Sequence, residues 1–362
     1  MKVLQCGSID IKTGGPALST SLSMKGAKMY GVDSEIWQAP LKPEGKLVTE
    51  EFPIHYQNIV GLSDIKDIDI YHIQGLWLMP NHKMAAYARK LHKPYIITLR
   101  GMFYPNSRKN WKKRIAIALY QKKDLKNATC IQVTCKEEMM HYRNYGFTNP
   151  VAIIPNPIDP TGIIDRPIPE KKKFRFGYLG RVDPRKRIER LIYAFNEHKE
   201  LFIDAELVIM GSWDKKYEQF LKDEVARLNL KNVIFTGFIQ GKEKDETLCS
   251  LSVLVVPSDF ENFGNIVTEA LVRGVPVISS KGTPWEDLQT YNCGYWVDND
   301  QKSINDIMKK FFSLSQEERY QMALNGRTLI KEKYSLGQNG KLLTQLYKWV
   351  AGKGPKPNFV YD

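Results

Sequence analysis

The stretch 177–187 combines a glycine turn with a cluster of cations. It reads Gly-Tyr-Leu-Gly-Arg-Val-Asp-Pro-Arg-Lys-Arg, so Arg181 and Lys186 lie five residues apart between a predicted strand and a predicted helix. Arginine makes forked hydrogen bonds to phosphate oxygens and lysine adds a point charge, so this pair suits a diphosphate. A basic loop that only faces water is the alternative interpretation.

Two glutamates follow a later buried strand. Glu261 lies in the loop after that strand, and Glu269 lies about two turns into the next predicted helix. The eight residues from Glu261 to Glu269 would rise about 12 Å in a helix. Paired carboxylates that act on one glycosidic bond are about 5–10 Å apart, so this spacing favours two separate hydrogen-bonding groups for an extended ligand. Two surface glutamates are the alternative, which the apolar neighbours Ile266, Val267 and Ala270 disfavour at Glu269.

A second glycine turn occurs near the start of the chain. Gly14 and Gly15 precede Pro16 and the predicted helix 17–29. Glycines allow close approach of a ligand to the backbone, and a helix N-terminus offers free N–H groups to a phosphate. An ordinary strand-to-helix turn explains the same residues equally well.

The sequence predicts no metal site. Asp67-Ile68-Asp69 has the form of a DxD metal motif, but it opens a predicted strand well before any phosphate loop, so we interpret it as coincidental. The five cysteines form no CxxC pair, which fits a reducing compartment and excludes a typical zinc site. We therefore expect catalysis without a metal, with cations and helix dipoles stabilising any departing diphosphate.

Strands that alternate with helices must position these groups. Apolar runs predict strands at 2–5, 35–37, 68–73, 95–99, 130–134 and 152–154, and again at 174–178, 206–210, 233–236, 253–256, 275–279 and 294–297. Unbroken apolar runs are typical of parallel strands covered on both faces, and their alternation with helices predicts doubly wound α/β architecture. A proline-rich stretch at 155–173 predicts a linker between two Rossmann-like domains that face a cleft. The boundaries are 1–165 and 166–335, and the tail from Gly352 is predicted to be mobile.

The net charge of +13 implies an anionic partner. Much of it lies in 108–126, where eight cations and one acid flank an apolar run with Trp111 near its start. Such a segment suits an anionic membrane surface, or else is a solvated helix face. With no apolar run long enough to span a bilayer and no signal peptide, we expect a cytoplasmic protein, peripheral on the inner face of the membrane.

Together these stretches resemble the retaining glycosyltransferases of family GT4, which have the GT-B fold. The resemblance runs along nearly the whole chain and includes 151–159, Val-Ala-Ile-Ile-Pro-Asn-Pro-Ile-Asp, where Pro157 replaces the usual glycine. It implies that the first domain binds the acceptor and the second binds a nucleotide-sugar donor. It also implies that the final helix, 336–352, packs back on the first domain.

The resemblance implies a role for each site residue. Arg181 and Lys186 would hold the diphosphate leaving group, and Glu261 would face the transferred sugar; these three are the predicted catalytic residues. Glu269 would bind the ribose. The remaining predicted donor-binding residues are Gly14, Gly15, Arg100, Gly211, Gly237, Phe238, Asn265 and Ile266.

One position departs from the family pattern. Family members usually carry a histidine before the glycine that follows the fourth strand, whereas this sequence has Arg100 before Gly101. Arg100 is predicted to reach a sugar hydroxyl or a phosphate instead. The nearby His72 is interpreted as a packed strand residue.

The implied function is transfer of a hexose-type sugar from a UDP- or GDP-sugar to a glycan or undecaprenyl-linked glycan, in bacterial surface polysaccharide biosynthesis. No cofactor is expected, and front-face transfer with retention comes from the resemblance alone. A sugar-nucleotide epimerase or hydrolase is the alternative enzyme. A polyanion-binding protein is the alternative without catalysis, but the sequence carries no nucleic-acid motif, so no nucleic acid partner is expected.

Overall fold

The computed structural model describes residues 1–39, 44–56, 67–104 and 115–362. The chain divides into two compact units. The first contains Met1–Asp159 and Tyr334–Asp362, and the second contains Pro160–Lys333. Each unit is built on a mainly parallel β-sheet with helices, as the strand–helix alternation predicts.

The first unit contains an eight-stranded sheet in the order β14-β7-β6-β5-β4-β1-β2-β3. All described neighbours are parallel except β14, which runs antiparallel to β7. The short β3 and the terminal β14 were not predicted from the sequence. The strands are β1 (Lys2–Gly7), β2 (Asp33–Gln38), β3 (Ile54–His55), β4 (Ile70–Gln74), β5 (Tyr95–Thr98), β6 (Cys130–Val133), β7 (Val151–Ile153) and β14 (Val360–Tyr361).

Helices of the first unit include one that returns from the end of the chain. They are α1 (Gly15–Lys28), α2 (Met79–Lys90), α3 (Lys122–Lys126), α4 (Lys136–Arg143) and α12 (Leu336–Val350). Helices α1 and α12 cross at Gly26 and Gly340, where a Cβ on Gly340 would lie 2.0 Å from the Gly26 carbonyl oxygen. The bare backbones of two glycines therefore allow the final helix to pack closely on α1.

The second unit contains a six-stranded sheet, parallel throughout, in the order β10-β9-β8-β11-β12-β13. Its chain order reverses between β8 and β11, and ligands of open α/β sheets bind at such a switch point beyond the carboxyl ends of the strands. The strands are β8 (Arg175–Leu179), β9 (Glu206–Met210), β10 (Val233–Gly237), β11 (Val253–Val256), β12 (Val277–Ser280) and β13 (Gly294–Val297).

Amphipathic helices cover this second sheet. They are α5 (Glu189–Glu197), α6 (Lys215–Arg227), α7 (Gly241–Ser250), α8 (Asn265–Val272), α9 (Asp287–Thr290), α10 (Gln301–Phe312) and α11 (Gln316–Leu329). In α10 the buried residues Ile304, Ile307, Met308 and Phe311 follow helical spacing. Helix α11 begins with a capping box in which Ser315 and Glu318 bond each other's backbone N–H groups.

The prediction that the tail from Gly352 is mobile is wrong. Val360 is 6% exposed and β14 pairs with β7. The Ile153 N–H also donates to the Phe359 carbonyl at 3.1 Å, and Lys353 pairs with Asp69 at 3.0 Å. Val360 is part of a buried core cluster of the first unit, and the half-buried Phe359 packs against that cluster.

The basic segment 108–126 is described only in part. Residues 108–114 lie outside the described residues, so the predicted membrane surface is not tested there. From 115 onward, Ile115 and Leu119 are 46% and 75% exposed, whereas Asp124 is buried and binds Arg89 at 2.9 Å. Within the described ranges, none of the helices has both the length and the apolar composition needed to span a bilayer.

Candidate functional site

Glycines end three neighbouring strands of the second unit. Gly180, Gly211 and Gly237 follow or close β8, β9 and β10, and their φ angles are 145°, 136° and 70°. A Cβ on Gly211 would lie 1.8 Å from the Gly180 carbonyl oxygen, so a side chain cannot be accommodated there. The carboxyl edge of this sheet is therefore lined by bare backbone beside the switch point.

Two of the predicted catalytic residues meet at that switch point. The Lys186 ammonium contacts Glu261 Oε1, and the Ser258 hydroxyl donates to the same oxygen at 3.1 Å. The two charged side chains are only 13% and 15% exposed. Their ion pair joins the loop after β8 to the loop after β11.

Arg185 and Arg187, two further cations after β8, also have carboxylate partners. Arg185 binds Asp183 through two nitrogens, at 2.9 and 3.2 Å, and this contact holds the pKa of the Asp183 carboxyl below its ordinary value. Arg187 binds Asp259 at 2.6 Å, and the Asp259 N–H donates to the Arg185 carbonyl at 2.9 Å. The loop is therefore a cross-linked structure, and the alternative of a merely solvated basic loop does not describe it.

Aromatic rings are exposed at the same edge. The Arg181 guanidinium lies 5.0 Å from the centre of the Trp213 ring, which is 62% exposed. Phe238 follows β10 and is 75% exposed. A cation–π contact of this kind contributes about 0.5–1 kcal/mol at an exposed site and holds the arginine in place.

Helix α8 presents its N-terminus at the switch-point loop. Gly264 precedes it with φ 81° and provides no side-chain cap to the first turn. Asn265 and Ile266, the first two helical residues, therefore place backbone N–H groups where an anion is favoured by the helix dipole.

Glu269 lies farther along α8 and is paired. Its Oε2 is 2.5 Å from the Lys244 ammonium of α7, and its side chain is 18% exposed. A carboxylate in an apolar setting needs such a partner, which the sequence did not indicate because Lys244 lies on another helix.

In the first unit, the Gly14–Gly15 turn opens α1. Gly14 has φ 73°, and no side chain caps the helix. A Cβ on Gly14 would meet no atom within 4 Å, so the turn faces open space. Its geometry is compatible with phosphate binding, and the predicted role of Gly14 and Gly15 stays a prediction.

Arg100 is half-buried, and its guanidinium is fully engaged within the first unit. Its five N–H donors are accepted by Ser19 at 2.7 Å, Thr20 at 2.9 Å, Asn156 at 3.0 Å and Gln74 at 3.1 and 2.8 Å. Burial lowers its pKa to about 10. No N–H of Arg100 is left for a sugar or a phosphate, so this geometry assigns it to holding α1 against the sheet.

His72 belongs to the same buried network. Its ring nitrogens contact the Tyr347 hydroxyl at 2.8 Å and the Thr98 hydroxyl at 2.7 Å, and burial lowers its pKa to about 3. The interpretation of His72 as a packed strand residue is confirmed.

Asp69, the second aspartate of the DxD-like triplet, has structural partners. Asp69 accepts a hydrogen bond from the Lys2 backbone at 2.9 Å and binds Lys353. Across the described parts of the chain, no group of three or more His, Cys, Asp or Glu side chains is placed to hold a metal ion.

Several residues of this site were not predicted from the sequence. Trp213, Ser258 and Lys244 contact predicted site residues, and Asp259 binds Arg187 in the loop after β8. Ser258 and Asp259 lie inside the motif that contains Glu261, so proximity in sequence was a usable signal. Trp213 and Lys244 are distant in sequence from Arg181 and Glu269, and only the fold brings them into contact.

Sequence families match most of the chain. Residues 40–161 match the family described as Glycosyltransferase Family 4, and residues 163–329 match Glycosyl transferases group 1. The charged loops after β8 and β11 lie inside the second of these matches. The first 39 residues, which include the Gly14–Gly15 turn, lie outside both.

Individual relatives match shorter stretches. An uncharacterized glycosyltransferase of Methanocaldococcus jannaschii is 36% identical over 122 residues, which is 33% of this chain and 30% of the relative. A GDP-mannose-dependent alpha-mannosyltransferase of Mycolicibacterium smegmatis is 32% identical over 130 residues, 34% of this chain and 30% of the relative. The chain thus matches less than a third of the length of these curated relatives.

Solved structures match over nearly the full length. The Anabaena protein HepE in complex with UDP superposes with a TM-score of 0.77 at 16% identity, covering 96% of this chain and 100% of that one. The lipopolysaccharide outer core galactosyltransferase WaaB has a TM-score of 0.67 at 16% identity, covering 95% and 98%. These likenesses show the fold, and together with the two family matches they establish that the chain belongs to the GT4 glycosyltransferases of the GT-B fold.

Proposed function

We propose that the protein transfers a sugar from a nucleotide-diphospho-sugar to an acceptor, with the donor bound at the carboxyl edge of the second unit's sheet. The observation that carries this proposal is the Lys186–Glu261 ion pair across the switch point, between bare glycine strand ends and the uncapped start of α8. Membership of the GT4 family supports the same reaction class.

The leaving diphosphate would be stabilised by fixed positive groups. Arg181 is held by Trp213, and Lys186 is held by Glu261, so both cations are placed before the donor arrives. Fixed charges in a partly buried site stabilise a developing anion more than mobile ones do, because little reorganisation is needed. The N–H groups at the start of α8 would add to this stabilisation. We therefore propose transfer without a metal ion.

Glu261 and Glu269 would orient the two ends of the donor. Glu261 would accept hydrogen bonds from sugar hydroxyls while its Oε1 contacts Lys186. Glu269 would bind the ribose beside Lys244. Gly211, Gly237 and the exposed Phe238 would line the base and ribose pocket. Retention of configuration is part of the proposal and rests on the family resemblance.

The proposed donor is a UDP- or GDP-hexose. HepE is described in complex with UDP, and the mycobacterial relative is named as GDP-mannose-dependent, so both bases stay open. The proposed acceptor is a glycan or lipid-linked glycan of a bacterial surface polysaccharide, a reading supported by the likeness to WaaB. Cytoplasmic location at an anionic membrane surface, through 108–126, is part of this proposal.

Two other functions use the same observations. A sugar-nucleotide epimerase or hydrolase would need the same donor site and no acceptor. A polyanion-binding protein would account for the net charge of +13 but not for the ion-paired arrangement at the switch point.

The test is a radiolabelled assay with UDP- and GDP-hexoses in the presence of lipid-linked glycan extracts, with and without EDTA. We expect one donor to label the glycan fraction in both conditions, and Lys186→Ala to slow the labelling by about 10²–10³-fold. Release of free sugar at the same rate without any extract would favour a hydrolase, and epimerised donor would favour an epimerase. The exposed Lys309→Ala variant, on α10, is the matched control.

A further inference from the structure

A cavity lies at the edge of the second unit's sheet that is opposite the proposed donor site. Its volume is about 460 Å³, and it is lined by 168–174, by Ser252 and Pro276 just before β11 and β12, and by one face of α11. That volume is in the range of small-molecule sites, about 300–1,000 Å³. At about 3.3 Å per residue, the length of β8 separates this amino edge from the carboxyl edge by roughly 15 Å.

The lining of this amino-edge cavity is strongly basic. Lys171, Lys172, Lys173 and Arg319 line it, against the single acid Glu170. Two of the lysines are committed elsewhere. Lys173 pairs with Glu206 at 2.8 Å, and Lys171 donates to the Cys249 carbonyl. Lys172 is exposed and makes no ion pair with the described residues.

Arg319 is anchored so that part of its guanidinium stays available. Its Nη1 donates to the carbonyl of Phe312 at 3.4 Å and to that of Leu314, and the group lies 5.2 Å from the centre of the Phe174 ring. Within the described ranges, Nε and Nη2 have no acceptor. Burial lowers the pKa of Arg319, as expected for a cation short of anionic partners.

A further cation lies behind the wall of the cavity. Gly274 lines the cavity with φ 72°, and a Cβ added there would lie 2.8 Å from Ile168 and 3.4 Å from the Arg327 Nε. That Nε is buried without a hydrogen-bond partner in the described part of the chain. Desolvation also lowers the pKa of Lys171 to about 8. An adjacent anion would offset the cost of burying charge at both Arg327 and Lys171.

Most of the remaining residues that line the cavity are apolar or aromatic, and Ser252 and Gln316 add two polar side chains. Ile168, Phe174 and Ala323 are among the apolar and aromatic residues, and the Tyr320 side chain, 45% exposed, lies at the cavity too. A ligand that fits must therefore combine an anionic group with an apolar body. Inorganic phosphate would fill only a small part of the volume.

We propose that the amino-edge cavity binds a small organic phosphate monoester, with its phosphate at Lys172 and Arg319 and its apolar body against Phe174 and Ala323. This site is separate from the donor site, and the proposal does not depend on glycosyl transfer. It adds a second ligand to the second unit, at residues for which the family resemblance implies no role.

The test uses the full chain with labelled isoleucine and alanine methyl groups, observed by NMR during titration with phenyl phosphate. We expect the signals of Ile168 and Ala323 to shift saturably at millimolar concentration, with phenyl phosphate binding more tightly than inorganic phosphate. The signal of Ile266 reports separately on the donor edge.

The double variant Lys172→Glu, Arg319→Gln should weaken this binding by roughly tenfold or more, because charge-assisted hydrogen bonds are lost. Lys309→Glu, an exposed charge reversal away from the cavity, should leave it unchanged. Ala323→Leu, which fills the cavity while Ile168 still reports, should also abolish it. Absence of any shift at Ile168, or equal binding by the double variant, would overturn the proposal, as would a response confined to Ile266.

Discussion

Replacing Arg100 with methionine should destabilise the first unit rather than remove a donor contact. In the wild type, five N–H groups of Arg100 bond to Ser19, Thr20, Gln74 and Asn156. Methionine fills a similar volume but donates no hydrogen bond. The buried acceptors would lose their partners, and α1 would lose its attachment to the sheet.

The expected magnitude follows from opposing contributions. A hydrogen bond to a charged group contributes about 1.5–3 kcal/mol, so five bonds set an upper limit that is not reached. Removing the guanidinium also relieves the cost of burying a charge, several kcal/mol. The net loss in unfolding free energy should be about 3–5 kcal/mol, because each buried acceptor left without its donor costs about 1–3 kcal/mol. Arg100→Lys keeps the charge but has three donors, so an intermediate loss is expected.

Urea unfolding at neutral pH measures this loss, and calorimetry on the folded variants measures nucleotide binding. We expect nucleotide affinity to change by less than about threefold, which is under 1 kcal/mol, because the proposed contacts to the base and ribose, from Gly211, Gly237 and Glu269, lie in the second unit. An Arg100→Met variant with wild-type stability and a large loss of affinity would refute this reasoning and restore Arg100 as a donor ligand.

Three further changes test other parts of the molecule. Lys186→Ala should lower kcat for transfer by about 10²–10³-fold, as for loss of one group that stabilises a developing anion, and unchanged kcat would exclude it from catalysis. The pKa of His72 is about 3 in the folded protein, so the protein should become less stable as pH falls below about 6.5, where only the unfolded state binds the proton. This loss of unfolding free energy approaches about 1.4 kcal/mol per pH unit. Urea unfolding at pH 7 and pH 5 should show a smaller loss for His72→Gln than for the wild type. Val360→Asp should cost about 2 kcal/mol or more and expose the tail to protease, whereas a freely mobile tail would tolerate it.

Much of the fold follows from local pattern. The bounds of β9, β11 and β13 agree with the predicted runs, because unbroken apolar segments between turns leave little choice. Strand β12 begins at Val277 rather than at residue 275, because Pro276 has no N–H for the ladder.

Pairings between distant segments could not be predicted in this way. Lys244 meets Glu269 and Trp213 meets Arg181 only because helices and loops from different strand–helix units converge at one edge. The proline-containing tail looked mobile by composition, yet Val360 finds an unpaired edge strand in the first sheet. Local composition carries no information about such long-range partners.

Arg100 shows the limit of carrying a role over by position. It occupies the place of the family's histidine in sequence, but a longer, charged side chain turns into the unit and bonds to α1. Only the hydrogen-bond geometry distinguishes a group that supports α1 from one that contacts a ligand.

The most direct test of the central claim is calorimetric titration of the protein with UDP and with GDP, comparing the wild type, Glu269→Gln and the control Glu246→Gln. Glu246 is an exposed residue of α7 whose side chain is 66% exposed, so its change should be silent. We expect one nucleotide to bind the wild type and the control equally, with or without EDTA, and to bind Glu269→Gln much more weakly. Binding of neither nucleotide, or equal binding by all three proteins, would contradict a donor site at this edge of the sheet.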